Sequence, residues 1–196
     1  MGEDYEVANP SGIQHLQTGQ FLVRLNIKDI KSDQYSYEVA LRINKNGTLD
    51  QGFAPFVAGP PTYIQQVVEV DGGYVMGINN MASGQAELRH IGSDGKELNH
   101  FVTCGIGENL LVSLFTESEG RLLTLSMGDG VSGFVLRRFT KQGAPDITFG
   151  DQGVFKMGKS SLETQTAFFG KQDLFIWSVD GSLLAPIDVI HTLKYR

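Results

Sequence analysis

The organisation of this chain is set by a stretch that reads RINKNGTLDQGF at residues 42–53. It returns in altered form as HIGSDGKELNHF at residues 90–101 and as RFTKQGAPDITF at residues 138–149. Each copy contains a turn glycine, and these glycines are spaced 48 residues apart: Gly47, Gly95 and Gly143. A fixed period of this length is the sequence signature of a repeat architecture. The chain is therefore predicted to be built from repeated structural units.

Residues outside the turn follow the same period. Ala40, Leu88 and Leu136 are spaced by 48 residues, and so are Gly72 and Gly120. In the second unit the pattern predicts three strands joined by glycine turns, at residues 65–70, 74–78 and 85–91. The best helical pattern covers only residues 160–169, which is about three turns. The chain is therefore predicted to be all-β.

The third strand of a unit carries apolar residues on both of its faces. Residues 39–43 and 134–139 have apolar side chains at successive as well as alternate positions. Strands of this kind are covered on both sides, as in propeller blades that pack face to face. A β-propeller or propeller-like fold is therefore predicted, in preference to a sandwich with one face in water.

The length of the chain, 196 residues, indicates a single repeat domain. Cutting at the turn glycine gives four repeats of about 48 residues, approximately 1–46, 47–94, 95–142 and 143–196. The first unit begins inside the repeated motif and the last ends just short of it. The N- and C-terminal strands are therefore predicted to share a blade and close the ring. The alternative is an open four-unit arc that dimerises, so a monomer or a homodimer is expected.

The repeated stretch resembles the delta-60 repeat, a propeller-like repeat found mostly in bacterial proteins, with the pattern Arg-Leu-Asn-x-x-Gly-x-Leu-Asp-x-x-Phe-Gly-x-x-Gly. Residues 42–53 carry this resemblance, and so do residues 138–155. It weakens at residues 95–101, where Leu98 replaces the aspartate of the family. The resemblance implies a propeller-like fold made of structural units without shared catalytic residues.

Composition and charge exclude several classes of protein. Apolar residues make up 41% of the chain and charged residues 19%, and no apolar run approaches the roughly 18 residues of a membrane span. A net charge of −6 offers no positive field for nucleic acid. The single cysteine, Cys104, has no disulfide partner and no neighbours at metal-ligand spacing. We therefore expect no membrane span, nucleic-acid partner, metal or cofactor. Residues 1–10 contain no recognisable signal peptide, which leaves a cytoplasmic or a secreted location open.

Residues 153–160 match the phosphate-loop pattern GxxxxGK[ST], and the match ends in Gly158, Lys159 and Ser160. Such a loop needs a strand before it, open backbone amides within it and a helix after it, for which residues 161–169 are the candidate. Bulky side chains stand where a polyphosphate would be wrapped, and the repeat itself accounts for the first glycine. A nucleotide-binding enzyme is therefore a remote alternative.

Residues 128–133 match the GxGxxG pattern of dinucleotide-binding loops. That pattern requires a helix after the loop, whereas a strand is predicted at residues 134–139. The 48-residue period aligns this stretch with residues 79–84 of the preceding unit, which read as a hairpin turn. A hairpin connection is therefore predicted here as well.

Arg42, His90 and Arg138 recur at the repeat period and are candidates for binding an anionic ligand. The alternative is that each long side chain braces the following turn by pairing with an aspartate: Asp50, Asp94 or Asp146. Occurrence in every repeat favours the structural role. The four histidines lie in different units without metal-ligand spacing, so no metal site is predicted.

Residues 28–37 form an insertion that breaks the period, because Gly19 precedes Gly72 by 53 residues instead of 48. The insertion contains Tyr35 and Tyr37, whose rings combine an apolar face with a hydrogen-bonding tip. These tyrosines are candidates for contact with a carbohydrate or a protein. A longer hairpin without a binding role is the favoured reading.

No catalytic constellation is recognisable, since the chain contains no Gly-x-Ser-x-Gly elbow. The leading hypothesis is a non-catalytic binding or scaffold module that interacts with a protein partner through loops on a repeat scaffold. A carbohydrate-binding, lectin-like module is the alternative.

Overall fold

The computed structural model describes residues 5–31, 34–59, 61–102, 111–127, 134–157, 164–169, 173–178 and 183–188. The chain divides into two compact units, Met1–Thr103 and Cys104–Arg196. Almost all regular structure in the described residues is β-strand, interrupted by a 3-10 turn at Ser118–Gly120. No helix in this part of the chain is long and apolar enough to cross a membrane. The predicted all-β class is confirmed.

The first unit contains two four-stranded antiparallel sheets, in each of which the strands lie side by side in chain order. The first sheet consists of β1 (Tyr5–His15), β2 (Phe21–Asp29), β3 (Gln34–Ile43) and β4 (Phe56–Val57). The second consists of β5 (Thr62–Val70), β6 (Gly73–Asn80), β7 (Gln85–Gly92) and β8 (Glu97–Val102). The three strands predicted for this repeat coincide with β5, β6 and β7.

The second unit repeats this arrangement. Its four-stranded sheet consists of β9 (Leu111–Thr116), β10 (Leu122–Met127), β11 (Phe134–Phe139) and β12 (Val154–Met157). A three-stranded sheet follows, made of β13 (Thr164–Phe169), β14 (Asp173–Ser178) and β15 (Leu183–Asp188). The short helical pattern noted at residues 160–169 is a strand where the structure describes it, because threonines and phenylalanines favour an extended chain and β13 pairs with β14.

The turn glycines explain the period. Gly47, Gly95 and Gly143 have φ angles of 84°, 86° and 87°, in the left-handed region that other residues avoid. Each sheet takes its fourth strand from beyond this turn, since β4 follows Gly47 and β12 follows Gly143. The predicted unit limits at 46, 94 and 142 therefore fall between the third and fourth strands of a sheet.

The core of the first unit forms between its two sheets. Buried apolar side chains from both sheets make one cluster: Leu16, Leu22, Ala40, Phe53, Phe56, Ala58, Ile64, Val67, Tyr74, Met76, Ile78 and Ile91. Polar groups of the first sheet also fix β5, because Arg24 donates to the Ile64 carbonyl and the buried Glu38 carboxylate accepts from the Ile64 amide. These bonds lie at a β-bulge between Ile64 and Gln66, which frees the backbone of β5 for side-chain partners.

Candidate functional site

The repeated arginines brace their own turns. Arg42 Nε donates to Asp50 Oδ2 over 2.7 Å, and Arg138 Nε donates to Asp146 Oδ2 over 2.8 Å. The two guanidinium groups also stack on Phe53 and Phe149, with centroid distances of 4.8 and 4.7 Å. The predicted bracing role is confirmed for both arginines, whose side chains are largely buried.

Arg42 joins the two sheets of the first unit as well. Its Nη1 donates to the Ser93 carbonyl over 2.7 Å and to the Tyr74 hydroxyl over 3.2 Å. Hydrogen bonds from the Gly52 amide and then from Arg42 lower the pKa of Asp50 below its usual value. Arg42 thus contributes to the packing of one sheet on the next through bonds that leave few donors for a ligand.

His90 differs from the two arginines at its repeat position. Its Nε2 is buried and has no hydrogen-bond partner among the described residues. Asp94, the predicted partner of His90, instead accepts from the Lys96 amide and lies 3.2 Å from Lys96 Nζ. The predicted pairing of His90 with Asp94 is therefore wrong, and a ligand-binding role for the three repeated cations stays a prediction.

A second charged cluster surrounds Arg138 in the other unit. Glu117 Oε2 lies 3.8 Å from Arg138 Nη1 and 3.5 Å from Arg121 Nε, without hydrogen-bond geometry. Burial raises the pKa of Glu117, against the attraction of the two arginines. The cluster ties the turn after β9 to β11, and the burial of Glu117 outweighs the attraction of the two arginines.

The insertion at residues 28–37 is a longer hairpin, as predicted. From Arg24, the partner of Ala40, β2 continues for five residues to Asp29. From the equivalent Gly77 in the second sheet, β6 continues for only three residues to Asn80. At about 3.3 Å per residue, the β2–β3 hairpin therefore extends roughly 7 Å further along its strands than the β6–β7 hairpin. Tyr35 and Tyr37 lie on this extension.

One end of the first unit gathers its chain connections. We call this the hairpin end: it contains the β2–β3 hairpin, the β4–β5 connection at residues 58–61 and the β6–β7 hairpin at residues 81–84. Large apolar side chains are exposed near it, with these exposed fractions: Val7 47%, Ile30 51%, Val57 49%, Tyr63 41% and Met81 49%. They are five of the eight exposed large apolar side chains that the structure describes in this unit. Exposed apolar side chains at one end of a unit are candidates for an interaction surface.

A polar network lies beside these apolar residues. The Glu87 carboxylate, on β7, accepts from Asn80 Nδ2 over 3.1 Å and from Arg89 Nη2 over 2.9 Å. His100 Nε2, on β8, lies 3.2 Å from the same carboxylate. Burial acts to raise the pKa of Glu87, but these hydrogen bonds and the charges of Arg89 and His100 outweigh it and lower the pKa.

The network also reaches the first sheet. The Arg89 guanidinium lies 5.9 Å from the ring centre of Phe56 and 3.6 Å from Glu97. Glu87 and Arg89 have no charged equivalents in the first sheet, where the period places Val39 and Leu41. In the third sheet the period places Val135 and Arg137 at these positions, so Arg89 recurs and Glu87 does not, and the repeat pattern alone did not indicate the network.

The phosphate-loop match is not supported by its surroundings. Gly158, Lys159 and Ser160 lie outside the described residues. The preceding Val154–Met157 is β12, hydrogen-bonded to β11, so these residues do not form an open phosphate-binding loop. The segment that would have to be the following helix contains β13. Over the described residues, the strand–loop–helix arrangement of a nucleotide site is therefore not formed.

The GxGxxG match at residues 128–133 also lies outside the described residues. It connects β10 to β11, which pair as antiparallel neighbours with Met127 opposite Phe134. In the part of the chain that the structure describes, no group of three histidine, cysteine or acidic side chains is arranged to hold a metal ion.

Comparison with solved structures identifies the architecture. A provisionally named gluconolactonase matches with a TM-score of 0.54 and 10% identity, over 91% of this chain and 58% of its own. A GH43 β-1,3-galactosidase matches with a TM-score of 0.53 and 9% identity, over 91% of this chain and 41% of its own. The fold is propeller-like. The chain thus spans between two fifths and three fifths of these structures, and identities this low establish the fold alone.

No protein-family model matches the chain, and no curated protein matches it in sequence.

Proposed function

We propose that this chain is a non-catalytic, propeller-like binding module whose hairpin end contacts a protein partner. The observation that carries the proposal is the exposure of Val7, Ile30, Val57, Tyr63 and Met81 at or near one end of the first unit. An exposed apolar group in water is unfavourable, and covering it contributes about 25 cal/mol per Å². A partner that covers this end would therefore gain free energy of association.

The kind of side chain favours a protein over a sugar. Four of the five exposed residues are aliphatic or methionine, which pack against apolar side chains of a partner. Sugar rings are instead bound by stacking on aromatic faces, for which this group offers Tyr63. The adjacent network around Glu87 includes His100, whose side chain is partly exposed. It supplies polar groups at the border of the apolar residues, as in the rim of a protein interface.

A quantitative pull-down tests this proposal. The full chain, its Ile30→Ser/Met81→Gln variant and a control variant, Ile13→Ser/Leu98→Ser, are used as baits with the same extract. The control removes two apolar side chains that are even more exposed and that lie away from the hairpin end. We expect at least one partner to be lost from the first variant and retained by the control. Equal recovery of every partner by both variants would contradict the proposal.

A carbohydrate-binding module is the second candidate, and the exposure of Tyr63 favours it. Tyr63 lies on β5 at the same end as the hairpin that carries Tyr35 and Tyr37. The two structural neighbours are named for activities on sugar derivatives, although their likeness is one of fold. A thermal-shift screen with simple saccharides tests this candidate, because a ligand at about one hundred times its Kd adds roughly 2.7 kcal/mol. The shift should disappear in Tyr63→Ala.

We further propose that the repeats belong to the delta-60 type and form a closed four-unit ring. The repeated motif supports the first part, since two copies of the Arg–Asp–Phe arrangement have the same geometry. Four sheets follow one another along the described part of the chain, and this number supports four units. A monomeric mass of about 21.5 kDa by light scattering is expected, and a dimeric mass would favour the open arc.

A further inference from the structure

The first turn of the repeat contains the one Asn-Gly pair of the chain, Asn46 and Gly47. Gly47 has a φ of 84°, and its amide donates to the Asn44 carbonyl over 2.9 Å. The Asn44 amide in turn donates to the Thr48 carbonyl over 2.8 Å. All residues from 45 to 49 are exposed. The pair thus lies at the tip of a tight turn that is open to water.

The side chain of Asn46 is folded forward along the chain. Its Oδ1 accepts from the Thr48 amide over 3.1 Å and from the Thr48 hydroxyl over 2.8 Å. This Asx turn spans Gly47, so it holds the side-chain carbonyl of Asn46 on the side of the Gly47 amide nitrogen. The two donors also draw electron density from this carbonyl, as donors do when they stabilise a developing oxyanion. The Cγ atom of Asn46 is therefore oriented and activated for attack by a nucleophile.

The equivalent turn of the second sheet is held by another segment of the chain. There Asp94 and Gly95 take the places of the Asn-Gly pair, and Asp94 Oδ1 accepts from the Lys96 amide in the same way. The Ala54 amide donates to the Asp94 carbonyl over 2.7 Å. A Cβ atom added at Gly95 would overlap the backbone of Ala54, whereas one added at Gly47 would have no neighbour within 4 Å. Gly47 can therefore move without disturbing another segment, and Gly95 cannot.

We propose that Asn46 is a site of spontaneous modification, at which the side-chain amide is converted to a carboxylate through a succinimide. The Gly47 amide nitrogen loses its proton to hydroxide and attacks Asn46 Cγ. The bond from Cγ to Nδ2 then breaks, and Nδ2 takes a proton from water and leaves as ammonia. Water opens the succinimide at either carbonyl, which yields aspartate or isoaspartate. The conversion adds one negative charge to the net charge of −6.

Glycine favours this reaction, because it has no side chain to hinder attack by its own amide nitrogen. The hydrogen bond from Gly47 to Asn44 must open first, and it is a bond within an exposed turn. The inference is independent of the proposed function, since this turn follows the end of β3 that lies away from the hairpin end.

Ageing of the full chain in mildly alkaline buffer, followed by peptide mapping with mass spectrometry, tests the proposal. A free peptide that copies residues 42–53 is aged alongside and gives the rate without the fold. We expect Asn46 in the protein to convert within about tenfold of the rate in the peptide, because opening an exposed turn costs little free energy. The Asn46→Gln variant should leave this segment unmodified, since the longer side chain closes a less favourable ring. Conversion slower than in the peptide by more than about tenfold would overturn the proposal.

Asp94→Asn is the matched variant, because it places the same dipeptide in the turn that is held by Ala54. Both turns then share the Asn-Gly pair and the hydrogen bond from the amide two residues on. The asparagine introduced at position 94 should convert at least about tenfold more slowly than Asn46, since its turn opens only when the bond from Ala54 breaks. Equal rates would mean that the dipeptide alone sets the rate, and the structural argument for Asn46 would be wrong.

Thr48 is a positioning residue in this reaction, and Thr48→Val tests that role. The substitution removes the hydroxyl donor to Asn46 Oδ1 and keeps the backbone donor. We expect conversion to slow by at least about threefold, because the carbonyl is less well oriented and less polarised. A hydroxyl that only held the turn together would give the opposite result, since its removal would loosen the turn and speed the conversion. Unchanged or faster conversion in Thr48→Val would therefore exclude the hydroxyl from the reaction.

Discussion

At the scale of single residues, positions that recur in the repeat hold the turns together. Arg42 illustrates this: it donates to a carboxylate of its own turn and to a carbonyl of the next sheet, and it stacks on Phe53. The side chains of Arg42 and Asp50 are 12% and 16% exposed, so solvent screens their pairing only in part. Hydrogen bonds to charged groups in such settings contribute about 1.5–3 kcal/mol.

Arg42→Met therefore tests the bracing role. Methionine keeps an apolar stem over Phe53 but removes every donor, so the free energy of unfolding should fall by about 2 kcal/mol in urea denaturation. Lys96→Met is the matched control, because the Lys96–Asp94 pair is 76% and 51% exposed and solvent screens it, so its loss should change stability much less. Equal losses in the two variants would mean that the Arg42 bonds add little to stability.

A residue that breaks the repeat is at the centre of the polar network instead. Glu87 stands where the period places Val39 and Val135, whereas Arg89 recurs as Arg137, and the two form a network with Asn80 and His100. A buried carboxylate is costly without such partners, and the lowered pKa of Glu87 reflects how completely they compensate it. Charges at these positions are thus tolerated because neighbouring strands supply the donors.

At the scale of elements, the β2–β3 hairpin is a local extension of the fold. None of the buried apolar residues described on these two strands lies within residues 28–36. They are Leu22, Ile27, Val39 and Ala40. Replacing residues 28–36 by Asn-Gly would join Ile27 to Tyr37, which are direct partners, through a two-residue turn. We expect a folded protein whose free energy of unfolding falls by less than about 2 kcal/mol in urea denaturation, because the core cluster is retained.

The control for this prediction is the β6–β7 hairpin. Replacing residues 80–85 by Asn-Gly shortens it in the same way but removes Asn80, which donates to the buried Glu87. This variant should lose more stability than the first, because a buried carboxylate then lacks a partner. A larger loss from the β2–β3 replacement would show that the extension is part of the folding core.

Sequence reasoning succeeded for elements where a local signal is strong. Turn glycines at the repeat period identified the strands of the second sheet, and the broken period identified the long hairpin. It did not predict the strand β13, because the short apolar segment there has no clear periodicity and pairing with β14 decides its conformation. The Glu87 network was not predicted either, because His100 and Asn80 lie on different strands and only strand register brings them together.

At the scale of the whole molecule, the central prediction is that the repeat closes on itself. If the N- and C-terminal strands share one sheet, the two ends of the chain lie close together. A linker of six residues spans at most about 20 Å, so it can join the ends only in the closed arrangement. Circularising the chain through such a linker therefore separates the closed ring from the open arc.

In the closed ring, the linker constrains mainly the unfolded chain. Closing a loop of this size lowers the entropy of the unfolded chain, which stabilises the folded state by up to about 5 kcal/mol. For a chain of this length, each kcal/mol of added stability raises Tm by about 2–4 °C. We expect the circular protein to unfold at least several degrees above the linear one in calorimetry. A linear chain that carries the same linker residues unjoined is the control. In an open arc the short linker would strain the folded state, and a circular protein that melts below this control would overturn the closed ring.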